Sequence, residues 1–302
     1  NYHLEQKEGP LKYNGVVYNE MKGAFSSPDE VLEREIMNHL FPDTTYGCES
    51  GGDPKNIPDL TYENFLNFHR TYYHPSNSYI YLYGNMDMEE KLAFLDEHYL
   101  SHFDYLDVDS VIQEQKEFGA CRDVTLEYPV AENEGEEDNT YLSYNMVVGN
   151  AADSQMAMAF EVLDYALLSA PGAPLKQALL DVKAGKDVYG SYDDGILQPY
   201  FTVIAKGSNP DRKEEFVSVI RQVLGDIVKN GIDKKAVEAG INYFEFRYRE
   251  ADFSSYPKGL MYSLDILGDW LYEQGNPFAQ VQQLEVFEKL KAAVNEGYFE
   301  EL

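Results

Sequence analysis

Apolar residues recur along this chain at two spacings, one helical and one alternating, and the switches between them mark its elements. Residues 14–26 carry the first helical pattern: at about 100° per residue, Val16, Val17, Gly23 and Ala24 share an arc, and Glu20 falls inside it. A carboxylate on a face of small apolar residues calls for an explanation. Ser27 is placed as an N-cap, Pro28 as the first helical residue, and Glu30 as the reciprocal half of a capping box with Ser27. The helix they start runs to Phe41 and stops at Pro42. Residues 43–60 read as loop, punctuated by Gly51-Gly52-Asp53-Pro54 and Ile57-Pro58. A helix over 61–73 is broken by His74-Pro75-Ser76-Asn77. Residues 78–83 alternate as a strand, with Ile80 and Leu82 opposite Tyr79, Tyr81 and Tyr83. A further helix covers 88–102.

Residues 104–121 are dominated by charged and polar side chains and read as a linker. Strands follow at 122–129 and 140–148, separated by a loop tip of Glu132, Glu134, Glu136, Glu137 and Asp138. Helices are predicted at 154–169 and 172–183. A hairpin follows, 187–192 with 196–205, turning at Asp193-Asp194-Gly195. Helices at 210–229, 233–251, 257–273 and 278–297 complete the chain. The order predicts an α+β protein of two domains, each with helices packed on an antiparallel sheet, the first incomplete. The boundaries are 1–103, a linker at 104–121, and 122–302.

Composition narrows the classes of function. The 302 residues suit about two domains, and 44% hydrophobic with 14% aromatic content is enough for real cores. A net charge of -29 excludes nucleic acid, whose phosphates need Lys and Arg, and equally an anionic membrane surface. The acid serves solubility, or an acidic surface that gathers cationic peptides. Two cysteines, Cys48 and Cys121, stand far apart and outside any CxxC pattern, which points to reduced thiols and a cytoplasmic setting. No apolar run approaches the ~20 residues of a membrane-spanning helix. The chain opens on polar Asn1-Tyr2-His3-Leu4-Glu5 and closes abruptly on Phe299-Glu300-Glu301-Leu302, and both ends read as cut.

Three segments carry a specific resemblance. They are Asn14-Gly15-Val16-Val17-Tyr18-Asn19-Glu20-Met21-Lys22-Gly23; Ser50-Gly51-Gly52-Asp53-Pro54 through Ile57-Pro58-Asp59-Leu60-Thr61; and Phe68-His69 through Tyr73-His74-Pro75-Ser76-Asn77 to Tyr83-Gly84-Asn85-Met86-Asp87. Together they resemble the pitrilysin/insulinase-type zinc metallopeptidases, in the presequence-protease branch. A softer echo is Asn230-Gly231-Ile232-Asp233 followed by Ala236-Val237-Glu238, similar to a helix start repeated in each domain of that family. The resemblance implies a zinc endopeptidase that degrades short unstructured peptides inside a chamber of two halves. It implies that Glu20 matches the third zinc ligand, and that two His ligands and a Glu base come from an HxxEH motif. Residues 1–103 would then be the C-terminal part of the zinc-binding domain, and 122–302 a second, non-metal domain.

The chain departs from that pattern at one point. Its six histidines, His3, His39, His69, His74, His98 and His102, include no HxxEH and no HExxH. His98 and His102, with Glu97, have helical i,i+4 spacing but read as an exposed helix end. His69 and His74 read as structural. Gly51-Gly52 reads as a turn, because no following Lys and Ser or Thr makes it a phosphate loop. The expectation is therefore a catalytic-half piece that completes its zinc site with a part of the same polypeptide N-terminal to it, shares a chamber with a part C-terminal to it, and is inactive alone. The alternative is a non-catalytic structural or peptide-binding member of the same family.

Overall fold

Short polar side chains and prolines set most helix starts here, and burial decides which helices are held. The computed structural model describes residues 2–131, 133, 135–251, 253–272 and 276–302, with the backbone alone at Asp269. The predicted acidic tip residues Glu132 and Glu134 lie outside the described residues. The chain divides into two units, 1–129 and 130–302.

Unit one holds a two-residue pair, β1 (Tyr2–His3) antiparallel to β2 (Lys12–Tyr13). Four helices follow: α1 (Val16–Ala24), α2 (Pro28–Leu40), α3 (Tyr62–Tyr72) and α4 (Met88–His98). Ser27 precedes α2 with extended backbone but makes no side-chain cap bond, so the predicted Ser27–Glu30 capping box does not form. Pro28 takes the first helical position, where its pre-set φ suits the helix and its missing N–H costs nothing. A capping box does close α3, where Thr61 Oγ1 accepts from the Asn64 nitrogen and Asn64 Oδ1 accepts from the Thr61 nitrogen, both at 3.1 Å.

Two predicted strands are corrected. Residues 78–83 and 122–129 form no strand among the described residues. A strand needs a neighbour for its N–H and C=O groups. No strand of unit one reaches either segment, and the alternation of 78–83 leaves Tyr81 and Tyr83 stacked at 6.4 Å instead. Residues 104–121 carry no regular element, yet they run along unit one through Leu106 N to Ser76 Oγ (3.1 Å) and the buried Gln115. Ile36, Phe41 and Gln115 are the buried residues of unit one among those described.

Unit two is different. Its sheet is antiparallel in the order β3 (Thr140–Val147), β5 (Tyr200–Ser208), β4 (Asp187–Asp193). Val203 is central, opposite Tyr144 on one side and Gly190 on the other. Phe201 to Ala205 is one unbroken buried run, the pattern of a strand covered on both faces. The predicted hairpin forms, but its second strand starts four residues late. Pro199 has no N–H for the ladder, and Asp193 braces the longer connection by accepting from Gly195 N (3.0 Å) and Tyr200 Oη (3.1 Å).

Among the described residues, seven further α-helices belong to unit two. They are α5 (Ser154–Asp164), continued as a wider π turn over Tyr165–Ser169; α6 (Pro174–Asp181); α7 (Lys213–Asn230); α8 (Lys234–Glu250); α9 (Lys258–Trp270); α10 (Leu284–Ala293); and α11 (Tyr298–Glu301). The single helix predicted over 278–297 is broken: a 3-10 turn at Ala279–Val281 precedes α10, and Gly297 at φ 80° starts α11. Val162, Leu175, Leu179, Val188, Ile220, Ile241, Phe287 and Leu290 are fully enclosed in one core. Each such side chain contributes roughly 1.5–3 kcal/mol on burial. The architecture is α+β, as predicted.

Candidate functional site

The first candidate centres on α1. Gly15 precedes it with extended backbone, and Asn14 and Asn19 are joined side chain to side chain at 2.8 Å, which ties the helix to its lead-in. Glu20 sits mid-helix and is exposed, as are Val16 (76%) and Val17. The apolar face predicted for α1 is thus present and uncovered in this chain. The next residue, Met21, packs its sulfur onto Gly51, where a Cβ would collide with it. Gly52 follows at φ +92°, a conformation that favours glycine. Two segments thirty residues apart in sequence therefore meet at Met21, the residue after Glu20, and the missing side chain of Gly51 is what allows it.

The third singled-out segment is held by local bonds. The His74 ring accepts from Ser76 N at 3.2 Å, Asn77 Nδ2 donates to the Tyr72 carbonyl at 3.0 Å, and Ser110 Oγ donates to Asn77 Oδ1 at 2.5 Å. His69 stacks on Tyr73 at 4.8 Å. His98 ends α4 against Phe94, and His102 lies on a short 3-10 turn. Cys48 and Cys121 are both free and exposed.

Zinc takes about four ligands of the N, S or O type, three or more of them from protein. Among the described residues no group of three or more His, Cys, Asp or Glu is placed to hold a metal ion. Glu20 offers one carboxylate, so the described residues do not make up a zinc site by themselves. No helix among the described residues is long and apolar enough to cross a membrane.

A second cluster escaped the sequence reading. At the join of α5 and the β4–β5 turn, burial raises several carboxyls together. Glu161 is pushed up to about 7, by burial first and then by the charges of Asp194 and Asp164, with Arg247 opposing. Asp194 is raised by burial and by Asp193; Asp164 by burial, partly offset by the Ser169 hydroxyl; and Asp265 by burial and then Asp194. Asp164 Oδ1 is buried without a hydrogen-bond partner and lies over Gly190, where a Cβ would come within 2.9 Å of it. The signal for this cluster was Glu161 and Asp164, three apart on a helix that is otherwise apolar after Gln155.

A family model described as the peptidase M16 inactive domain matches residues 59–244. The chain is 49% identical over 302 residues to the protein HypA of Clostridium perfringens, a match that covers 100% of this chain and 31% of that protein. It is 36% identical over 300 residues to presequence protease 1, chloroplastic/mitochondrial, of Arabidopsis thaliana, covering 98% of this chain and 28% of that protein. It therefore spans about three-tenths of the length of these curated relatives. A solved peptidase M16 inactive domain from Pseudomonas fluorescens shares the fold, with TM-score 0.61 and 17% identity over 93% of this chain and 66% of that one. The chain belongs to the peptidase M16 family, of the insulinase/pitrilysin type.

Proposed function

We propose that this chain is one part of a longer zinc metalloendopeptidase that degrades short unstructured peptides, and that Glu20 lends its carboxylate to a metal whose other ligands lie outside residues 1–302. The supporting observation is the surface of unit one. It buries two apolar side chains, Ile36 and Phe41, while Val16, Tyr62, Phe65, Phe68, Leu92 and Phe94 stay exposed. Burying two such residues yields about 3–6 kcal/mol. Ordering a backbone of this length costs about 1–2 kcal/mol per residue. Unit one is therefore shaped to be covered, in keeping with a chain that spans about three-tenths of its curated relatives. The setting we propose is cytoplasmic, with both thiols reduced.

The test uses the longest polypeptide that the gene encodes, assayed on a short unstructured peptide, with Glu20→Gln as the variant. Cleavage by the parent that is nearly lost in Glu20→Gln is the expected result. Undiminished cleavage by Glu20→Gln sinks the assignment. The 302-residue chain alone is expected not to cleave.

A second reading rests on the match of residues 59–244 to a domain described as inactive. In it the longer protein is a non-catalytic, peptide-binding or structural member of the family. A longer polypeptide that binds peptides without cleaving them, with and without Glu20, would favour it.

A further inference from the structure

His74 follows α3 and caps a 3-10 turn, Pro75–Asn77, where its ring Nδ1 accepts from the Ser76 nitrogen at 3.2 Å. The ring meets Phe103 edge-on at 5.5 Å, from the stretch after α4. The capped turn in turn holds residues 106–110. The Leu106 nitrogen donates to Ser76 Oγ at 3.1 Å, and Ser110 Oγ donates to Asn77 Oδ1 at 2.5 Å. Asn77 is set in place by donating from its backbone nitrogen to the His74 carbonyl at 2.8 Å and from Nδ2 to the Tyr72 carbonyl at 3.0 Å. We propose that this turn is an acid-sensitive fastening: the neutral ring of His74 keeps Pro75–Asn77 folded against residues 106–110, and protonation of Nδ1 releases them.

The hydrogen-bond inventory of imidazole dictates the sign. A backbone N–H can only donate, so the Nδ1 facing Ser76 carries a lone pair. In the neutral ring one nitrogen accepts, whereas in the imidazolium both donate. Protonation therefore sets two N–H groups against each other, and one of them has to turn away. Ser76 supplies both the donor that His74 caps and the hydroxyl that receives Leu106, so a change at its backbone carries directly to residue 106. Imidazole ordinarily changes charge between about pH 5 and 8. The fastening belongs to the neutral form, so it holds at high pH and is lost as pH falls. The titratable side chains on the segments that meet at this ring are Tyr72 and Tyr73 before it, His102 and Asp104 on either side of Phe103, and Asp107 and Asp109 on the held stretch. His102 is the second imidazole among them and serves as the control.

Amide exchange at pH 8 and pH 5 tests this on the longest polypeptide that the gene encodes, read over residues 74–78 and 104–111 and corrected for the intrinsic pH dependence of exchange. In the wild type both segments are expected to exchange about fivefold faster at pH 5, the size of losing one cap hydrogen bond. His74→Asn keeps an acceptor that does not titrate, so both segments should stay slow at either pH. His74→Ala removes the acceptor, so both should be fast at either pH. His102→Gln should leave the wild-type response intact. A wild type without the response, a response that survives in His74→Asn, or one lost in His102→Gln overturns the proposal. If His74→Ala fails to fold, His74→Asn decides by the same criterion. The result is independent of the role of Glu20, so the two readings fail separately.

Discussion

Gln115 and Asp43, 72 residues apart, grip each other twice: Gln115 Nε2 donates to Asp43 Oδ2 at 2.8 Å, and the Asp43 nitrogen donates to Gln115 Oε1 at 2.9 Å. Gln115 is 7% exposed and sits in a stretch without regular structure, so this pair pins that stretch to the turn after α2. Arg122 adds a second pin by donating to the His39 carbonyl at 3.3 Å. Gln115→Ala should cost about 1–3 kcal/mol, because it leaves the Asp43 nitrogen and carboxylate unpaired. Gln115→Glu should cost at least as much, since it sets two carboxylates face to face. Urea unfolding together with amide exchange over residues 41–48 measures both, and an unchanged exchange rate would dismiss the pin.

Glu161 makes unit two sensitive to pH in a defined direction. Its ordinary value is 4.5 and its folded value about 7, so the folded state holds a proton that the unfolded state gives up between them. The stability this favours is full below about 4.5 and is lost as pH rises through about 7. Glu161→Gln should therefore stabilise the protein by about 1–3 kcal/mol at pH 8.5, allowing for partial exposure, and by little at pH 5. Urea midpoints of the two proteins at the two pH values check it; equal gains at both would remove Glu161 as the cause.

Glu245 works with the opposite sign. It is buried at the surface of α8, where Lys291 Nζ and Arg249 Nη2 both approach its oxygens to 2.6 Å. Lys291 first, and then Arg249, hold its carboxyl below the usual 4.5. Its contribution is present above about 4.5 and fades as pH falls through the lower folded value. Glu245→Gln should thus lower the melting temperature at pH 7 and converge on the wild type in acid. A constant difference down to pH 3 would contradict the ion pairs as its source.

Gly190 sits where β4 crosses α5. A methyl group there would strike Leu168, and would come within 2.9 Å of Asp164 Oδ1 and the Thr202 carbonyl. Two of these three neighbours are backbone or core and have no room to yield, so Gly190→Ala should destabilise unit two by about 1–3 kcal/mol. A melting temperature within a degree of wild type would show that the sheet and helix can part more easily than their packing indicates.

Most helices of unit two were legible in the sequence, because each carries its own signal. The 3.6-residue period, Asp233 accepting from Lys235 N at 2.9 Å to start α8, and Gly231 at φ +92° ending α7 are local events decided by a few neighbouring residues. The family, too, was legible in short segments around Glu20, Gly51 and His74. Tertiary structure alone decided the rest. Whether 78–83 and 122–129 become strands depends on a partner edge, and alternation cannot say whether one is there. The start of β5 at Tyr200 was set by ladder register and by Pro199, not by the turn residues that mark a hairpin. The raised carboxyl of Glu161 arises from burial, and no single-residue pattern encodes how much water a neighbouring element removes.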